Sequence, residues 1–376
     1  MKRFRIALLV TSVSVVLLFA GLLTAGLDSK ESLFQALGNL AEVVHLVESE
    51  YVDELDADVL ALSLDAGILE SIDPWAAVVS DDQVEAYERV FANPPAYGLG
   101  LSLRLGSAAV RFVFPGSPAS DAGLESWEVI EKIDGVYTRG RPLWQIALEL
   151  ADRESRGEIV ILTVMDRQVD QRRDVELVPR DWVPVHATLE TLDELRVLTV
   201  ESLTGGSAAA IAELIAADPP DIVDLRGVVW GLESQAVQVA DLFIAEGTIA
   251  AWKGREAGSA VIEATGDSGL GVPLVLISSE TEGVGEVLAS AFKRSGAELL
   301  GQPTLGHAPH MQIVRRGDLN LWIPVGRWLG PDDEPIRGAG LEPDEEIPAP
   351  DDDEEGDPVL DRAIEKLTSV ELPEAA

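Results

Sequence analysis

The sequence predicts an α/β multidomain protein that begins with a membrane-spanning helix. Three observations predict it: an uncharged apolar run opens the chain, short strands separated by Gly and Pro follow, and strands and helices then alternate. Of the 376 residues, 47% are hydrophobic, which is enough for the cores of about two or three domains. The absence of cysteine excludes disulfides, thiolate metal sites and a cysteine nucleophile.

The first residues indicate where the protein works. Lys2, Arg3 and Arg5 precede the apolar run from Ile6 to Leu27, and about 20 such residues cross the hydrocarbon core of a bilayer. Basic residues hold that end in the cytoplasm, so residues 1–28 predict a single-pass anchor in the cell membrane. The bulk of the chain would then lie outside the cytoplasm, on the periplasmic side. A cleaved signal peptide, processed near Leu23–Gly26, remains the alternative.

Residues 31–92 form a predicted helical segment, because apolar residues recur there at spacings of three and four. Residues 95–180 change to short strands, with one helix near residues 142–151. Residues 183–346 alternate strands and helices, which predicts an α/β core. The strands are Val197–Val200, Ile222–Leu225, Ile249–Trp252, Leu274–Ile277 and Leu319–Pro324, and the helices are Ala208–Ala216, Leu232–Ile244 and Val284–Arg294.

The tail, residues 347–376, is rich in acidic residues. Such a charge run is usually solvated, and we expect a short helix at Val359–Lys366 only. The net charge of the whole chain is −38, which repels phosphate backbones, so we predict no nucleic-acid partner.

Several motifs occur in the order found in one enzyme family. They are Gly67–Pro74, Tyr97–Leu101, Pro115–Leu124, Asp224–Arg226, Gly301–Gly306 and Gly338–Asp344. In this order the chain resembles the carboxy-terminal processing (tail-specific) serine peptidases over roughly residues 31–346. The resemblance implies that residues 95–180 are a PDZ-like, β-rich domain and that residues 183–346 are a tail-specific peptidase-like core.

The PDZ-like stretch predicts a peptide-binding loop. A peptide that ends in a free carboxylate can extend a sheet edge while backbone amides bind the carboxylate. The candidate residues are Tyr97, Gly98, Leu99, Gly100 and Leu101, in which the glycines permit close backbone approach and the leucines line an apolar slot. A hairpin turn that needs glycine for its geometry alone is the alternative interpretation. The resemblance implies that such a domain senses polypeptide C-termini.

The catalytic positions depart from the family pattern. Family members use a serine, placed just before a helix and three residues ahead of a Glu, and a lysine that follows a Gly-x-Pro-Thr-x-Gly turn. Here Gly283 stands three residues before Glu286, and His307 follows Gly306. Glycine cannot be a nucleophile. Trp230 replaces the first glycine of the family's oxyanion pair, and the supporting glutamine could persist as Gln312, one residue out of step.

Two chemical alternatives stay open at this point. Ser278 or Ser279 could act as a displaced nucleophile with His307 as its base. His307 and His310 could together bind zinc, but Pro309 between them disfavours a helix and no third ligand is evident, so we predict no metal site and no cofactor.

These observations predict a membrane-anchored, extracytoplasmic pseudopeptidase that binds polypeptide C-termini or an envelope protein and has no catalytic residues. An active serine endopeptidase with a rearranged site is the first alternative, and a purely structural envelope protein is the second. The oligomeric state is not predicted by the sequence.

Overall fold

A computed structural model describes residues 35, 38–52, 64, 67–166, 171–266, 269–317, 319–338, 340–348 and 356–369. The chain divides into two compact units, residues 1–67 and 68–376. In the first unit a helix, α1, covers residues 38–50. The predicted anchor, residues 1–28, lies outside the described residues. Within the described part of the chain, no helix is both long enough and apolar enough to cross a bilayer.

A β-rich domain forms the first half of the second unit. Its sheet has the order β2-β3-β4-β6-β7, with β5 also paired to β4, so β2 is the last of the described strands at one edge. Helix α4 closes over the sheet, and its Ile146 and Leu150 join a core with Leu99, Ile130 and Leu162. The bounds are β2 Leu99–Arg104, β3 Ser107–Val113, α3 Pro118–Asp121, β4 Val129–Ile133, β5 Val136–Tyr137, α4 Leu143–Ser155, β6 Val160–Asp166 and β7 Gln171–Leu177.

The second half of this unit is a largely parallel sheet of order β17-β14-β13-β10-β9-β8 among the described strands. Its strands follow the predicted alternation, and β13 and helix α7 have the predicted bounds. The elements are β8 Ala187–Leu192, β9 Leu195–Val200, α5 Ser207–Ile215, β10 Ile222–Asp224, α6 Glu233–Phe243, β13 Leu274–Ile277, α7 Val284–Arg294, β14 Leu299–Gly301, β17 Glu345–Glu346 and α8 Pro358–Ser369.

Helices cover both faces of the parallel sheet, which explains its apolar strands. Along β10, Val223 faces a core that includes α5, α6 and α7, whereas its neighbour Ile222 faces α8. Val359 and Ala363 of α8 are buried there. Arg226 pairs with both Asp224 and Asp357, at 2.7 and 2.6 Å.

The expected helix at Val359–Lys366 is confirmed, as part of Pro358–Ser369, whereas the expectation of a solvated tail is wrong for this helix because it packs on the sheet. Although the tail is rich in acidic residues, α8 has an apolar stripe at helical spacing, and this stripe covers the outer face of the sheet.

A third sheet combines one strand from near the start of the second unit with four strands from its later part. Strand β16 pairs with β1, β11 and β15, and β12 pairs with β11. The expectation that residues 31–92 are helical is wrong at β1, because its alternating buried residues pair with β16. Helix α2 follows β1 directly. The bounds are β1 Ala77–Val79, α2 Asp81–Ala92, β11 Thr248–Gly254, β12 Ser259–Glu263, β15 Pro309–Arg316 and β16 Leu319–Trp328.

Candidate functional site

Three loops meet at the carboxyl edge of the parallel sheet. They follow β10, β13 and β14, and adjacent parallel strands place the loops after them at one edge. Residues 225–232, 278–283 and 302–307 form these loops, so Trp230, Gly283 and His307 come from three separate chain segments. The sequence-predicted catalytic positions therefore belong to one region.

Gly283 caps helix α7 at the site. Its φ of +56° and ψ of −110° form a conformation that a side chain disfavours. Its N–H donates to the carbonyl of His307 at 3.1 Å and to Oε2 of Glu286 at 3.1 Å. A Cβ added here would lie 3.8 Å from the His307 carbonyl oxygen, which is ordinary contact. Space is available for a side chain, and the backbone is the obstacle.

Glu286 holds the two loops together from inside the protein. Its side chain is fully buried, and its carboxylate accepts from the Thr304 hydroxyl at 2.5 Å and from the N–H groups of Gly306 and His307 at 2.6 and 2.9 Å. Burial raises the pKa of Glu286, and these hydrogen bonds oppose that rise. Glu286 thus fixes His307 beside Gly283.

His307 lies between two carboxylates. Its Nε2 lies 3.0 Å from Oδ2 of Asp73, and its Nδ1 lies 2.9 Å from Oε1 of Glu282. The hydrogen bond that His307 donates to Asp73, followed by the one that it donates to Glu282, raises the pKa of His307 to about 10, although burial opposes the rise. At neutral pH both ring nitrogens therefore carry protons and donate. Asp73 also accepts from the N–H of Trp75 at 2.8 Å.

The same charged network reaches the β-rich domain. Arg111 of β3 donates from Nε to Glu282 at 3.0 Å, pairs with the carboxylate of Glu280 and donates to the Glu280 carbonyl at 3.2 Å. Its guanidinium also lies 4.7 Å from the ring centroid of Trp127. Arg111, Glu282, His307 and Asp73 therefore alternate in charge from one domain to the other.

Trp230 lies inside the protein, at 8% exposure. Its ring meets that of Trp75 edge-to-face, with centroids 5.4 Å apart, and lies 6.0 Å from the ring of Phe112. Its indole N–H donates to the carbonyl of Asn93 at 3.4 Å. The indole therefore lies between Trp75, strand β3 of the β-rich domain and the loops of the site.

The hydroxyl groups of Ser278 and Ser279, the candidate displaced nucleophiles, form hydrogen bonds with residues other than His307. The Ser278 hydroxyl donates to the carbonyl of Arg226 at 2.8 Å, and the Ser279 hydroxyl donates to the side chain of Gln302 at 3.3 Å. The Thr281 hydroxyl, fully buried, donates to the carbonyl of Leu225 at 3.0 Å. These contacts stabilise the loop after β13 and leave the serines in the local role that hydroxyls often have.

His310 and Gln312 form a separate cluster. His310 Nδ1 lies 2.9 Å from Oε2 of Glu233, and its Nε2 lies 2.9 Å from the amide nitrogen of Gln312. Trp328 Nε1 donates to the same Glu233 at 2.8 Å. Because His307 and His310 bind different carboxylates, they do not form one ligand set. No group of three or more metal-ligating side chains occurs among the residues that the structure describes.

A cleft of about 370 Å³ opens above Gly283 and His307. Its remaining lining residues are mostly apolar or aromatic, and they include Trp75, Trp230, Trp322 and Trp328. A second, larger cavity of about 900 Å³ lies between β2, helix α4 and helix α2. Trp75 and Trp230 line both cavities.

The predicted peptide-binding loop lies beside the larger cavity, which Leu99 and Leu101 line. At Gly98, which has a φ of +72°, an added Cβ would lie 2.1 Å from the Cβ of Ser117, so this position requires glycine. At Gly100 an added Cβ would lie 2.1 Å from the ring of Phe112, which would have to move. The contact at Gly98 supports the structural interpretation of that glycine.

One amide of that loop already holds a carboxylate. The N–H of Tyr97 donates to Oε1 of Glu154, from helix α4, at 2.7 Å. Burial raises the pKa of Glu154, and the bond from Tyr97 opposes the rise.

Sequence reasoning missed three carboxylates of these sites, Asp73, Glu154 and Glu282, and it did not predict the contacts of Glu286. Asp73 and His307 are 234 residues apart, and Tyr97 and Glu154 are 57 apart, so no local spacing relates them. Glu286 carried a signal, because a Glu three residues into a helix can reach back to the N-cap amide.

Comparison with known proteins agrees with this architecture. Residues 195–347 match the model of Peptidase family S41. A carboxyl-terminal-processing protease of Picosynechococcus sp. is 29% identical over 294 residues, which cover 73% of this chain and 70% of that protein. A carboxy-terminal-processing protease of Bartonella bacilliformis is 25% identical over 334 residues, which cover 84% of this chain and 76% of that protein.

The solved structure of the photosystem II D1 C-terminal processing protease superposes with a TM-score of 0.63 at 18% identity, over 81% of this chain and 86% of that one. The fold is therefore that of the C-terminal processing proteases, with mixed α/β content. The match to Peptidase family S41 and the sequence relatives agree with this fold and make the chain similar to the carboxyl-terminal processing peptidases.

Proposed function

We propose that this protein is a non-hydrolysing member of its family that binds polypeptide C-termini. The observation that carries the proposal is the pair of residues at the family's nucleophile and base positions. Gly283 has no side chain to attack a carbonyl, and His307 is held as an imidazolium between Asp73 and Glu282.

A histidine at the family's lysine position could still act as the general base if it were neutral. The protonated state of His307 prevents this. A general base must be unprotonated at the working pH and must lie within hydrogen-bond reach of the proton it removes. With a pKa of about 10, His307 holds its proton through the neutral range. Both of its nitrogens are also engaged, so it has no lone pair to offer a hydroxyl.

Trp230 supports the same conclusion. The family resemblance places one glycine of the oxyanion pair at this residue, and here an indole of 8% exposure occupies it. An oxyanion hole needs an open pocket lined by donors at the reacting carbonyl. A fixed aromatic wall at this point favours a cleft that holds a ligand over one that stabilises a tetrahedral intermediate.

The alternative of an active serine endopeptidase through Ser278 or Ser279 has less support. Each hydroxyl already donates to another acceptor, and the neighbouring Glu280 and Glu282 would repel a developing oxyanion. We therefore take hydrolysis as an outcome that would overturn the proposal.

Binding of C-termini would use the groove between β2 and α4, in the manner of a PDZ domain. The groove borders an edge strand, is lined by Leu99 and Leu101, and lies next to the Tyr97 amide, which can hold a carboxylate. Glu154 occupies that amide in the unliganded chain, so a peptide carboxylate must displace it. The internal carboxylate supports carboxylate chemistry at this loop.

We further propose that the protein is anchored in the cell membrane by residues 1–28 with its bulk outside the cytoplasm. The basic N-terminus and the apolar run support this location. The partner would be a polypeptide C-terminus or an envelope protein, with no nucleic acid, because of the net charge of −38.

A calorimetric titration with one apolar-ended peptide tests the binding claim, as its free acid and as its amide. We expect the free acid to bind at least about tenfold more tightly, because the amide loses the charge-assisted bonds. Equal binding of both forms would overturn carboxylate recognition. Binding of neither form would favour the purely structural alternative.

A further inference from the structure

Four tryptophan side chains line the cleft above Gly283 and His307. They are Trp75, Trp230, Trp322 and Trp328. The Trp75 and Trp230 rings meet at 65° with centroids 5.4 Å apart, so they form two adjoining walls. The face of an indole ring carries negative electrostatic potential, and tryptophan is the aromatic side chain that attracts cations most strongly.

The charges around the cleft have the same sign as these ring faces. The carboxylates of Asp73, Glu233 and Glu282 line it. Among the described residues that line the cleft, His307 is the only cationic side chain, which leaves a formal charge of −2. Asp73 is 3% exposed, so its charge acts in a poorly hydrated environment.

Anions and metal ions fit this environment poorly. The lining carboxylates repel an anion, and each already accepts from N–H donors, which weakens them as metal ligands. The other lining residues include Val284, Val287 and Met311, which suit a ligand with an apolar surface. A cation whose charge is spread over an apolar group satisfies both requirements.

We propose that this cleft binds an organic cation, an alkylammonium or guanidinium group held against the tryptophan walls. The group could belong to a small free cation or to a Lys or Arg side chain of a bound polypeptide. The inference rests on the proposed function in one respect, because a cleft that no longer hydrolyses is available as a binding site. It does not depend on the carboxylate groove.

A matched pair of ligands tests the charge directly. The full chain is titrated calorimetrically with choline and with 3,3-dimethylbutan-1-ol, which has the same shape without the charge. We expect choline to bind at least about tenfold more tightly, since ring faces and carboxylates both act on the charge. Equal binding of the two, or no heat with either at millimolar concentration, would overturn the proposal.

Two further ligands distinguish the sources of the cation. N-acetyl-arginine amide and N-acetyl-lysine amide represent polypeptide side chains. Tighter binding of either than of choline assigns the cleft to a peptide, and the reverse assigns it to a small cation; both results support cation binding. The carboxylate titration of the β2–α4 groove is run on the same preparation, so failure of one site is distinguishable from failure of the other.

Variants locate the binding. Glu233→Gln removes one lining charge and keeps an acceptor for Trp328, and we expect choline to bind about fivefold more weakly. Trp322→Leu should weaken choline similarly, with Trp182→Leu as the control, because Trp182 lies outside the lining residues and packs against Phe114. Thermal unfolding shows that each variant is folded. Unchanged choline binding in both folded cleft variants would contradict the assignment.

Discussion

The imidazolium of His307 makes a specific prediction about stability and pH. A pKa raised from 6.5 to about 10 sets an upper limit of about 5 kcal/mol, at about 1.4 kcal/mol for each tenfold change in proton affinity. The His307 side chain is 37% exposed, so solvent screening reduces this to about 1–2 kcal/mol. We expect His307→Gln to lower the free energy of unfolding by that amount near pH 6.

The sign of the pH dependence follows from the raised pKa. The folded state binds a proton that the unfolded state releases above pH 6.5, so the stabilisation is complete below 6.5 and declines towards pH 10. The difference in unfolding free energy between the wild type and His307→Gln should therefore shrink over this range and vanish above about pH 10.

Urea unfolding of both proteins at a series of pH values measures this difference, in which the titration of groups that do not contact His307 cancels. Asp73→Asn, alone and combined with His307→Gln, completes a double-mutant cycle with an expected coupling of about 1–2 kcal/mol. A difference that stays constant from pH 6.5 to 10, or no coupling between the residues, would refute the ion-pair account.

Three further predictions concern other contacts. Glu154→Ala should strengthen binding of a free-acid peptide about tenfold in calorimetry, because it frees the Tyr97 amide. The control Glu149→Ala, on the same helix, should leave the affinity unchanged. Weaker binding by Glu154→Ala would contradict the claim that Glu154 occupies the peptide's carboxylate site. Arg111→Gln should speed hydrogen exchange at residues 280–283, and unchanged exchange would mean that Arg111 does not hold that loop. Glu286→Gln should lower the free energy of unfolding by about 1–3 kcal/mol in urea, because an amide nitrogen replaces one acceptor oxygen, and a neutral effect would contradict its role.

Local patterns in the sequence were sufficient for much of the fold. Strand Leu274–Ile277 and helix Val284–Arg294 have the predicted bounds, because a short apolar run and a helical stripe lie on either side of a Gly-containing loop. The position of Gly283 at the start of that helix is likewise predicted by the local sequence. Strand Ala77–Val79 was missed, because three residues give too little alternation to separate a strand from a helix.

The charge network was beyond the reach of sequence patterns. His307 was weighed as a base or a ligand, and its partners Asp73 and Glu282 come from separate segments that only tertiary folding brings together. In the sequence Asp73 is the residue before Pro74, a position that is typical of a helix end. The pKa of an imidazole depends on such partners, so the protonation state of His307 follows only from the folded structure.

Hydrolysis is the measurement that bears most directly on the proposed loss of catalysis. An unfolded substrate with an apolar free C-terminus is incubated with the full chain near pH 8, and its intact mass is followed by mass spectrometry. We predict that the substrate mass stays unchanged for as long as it does without protein. Fragments that appear with the wild type and disappear with Ser279→Ala or with His307→Ala would contradict the account.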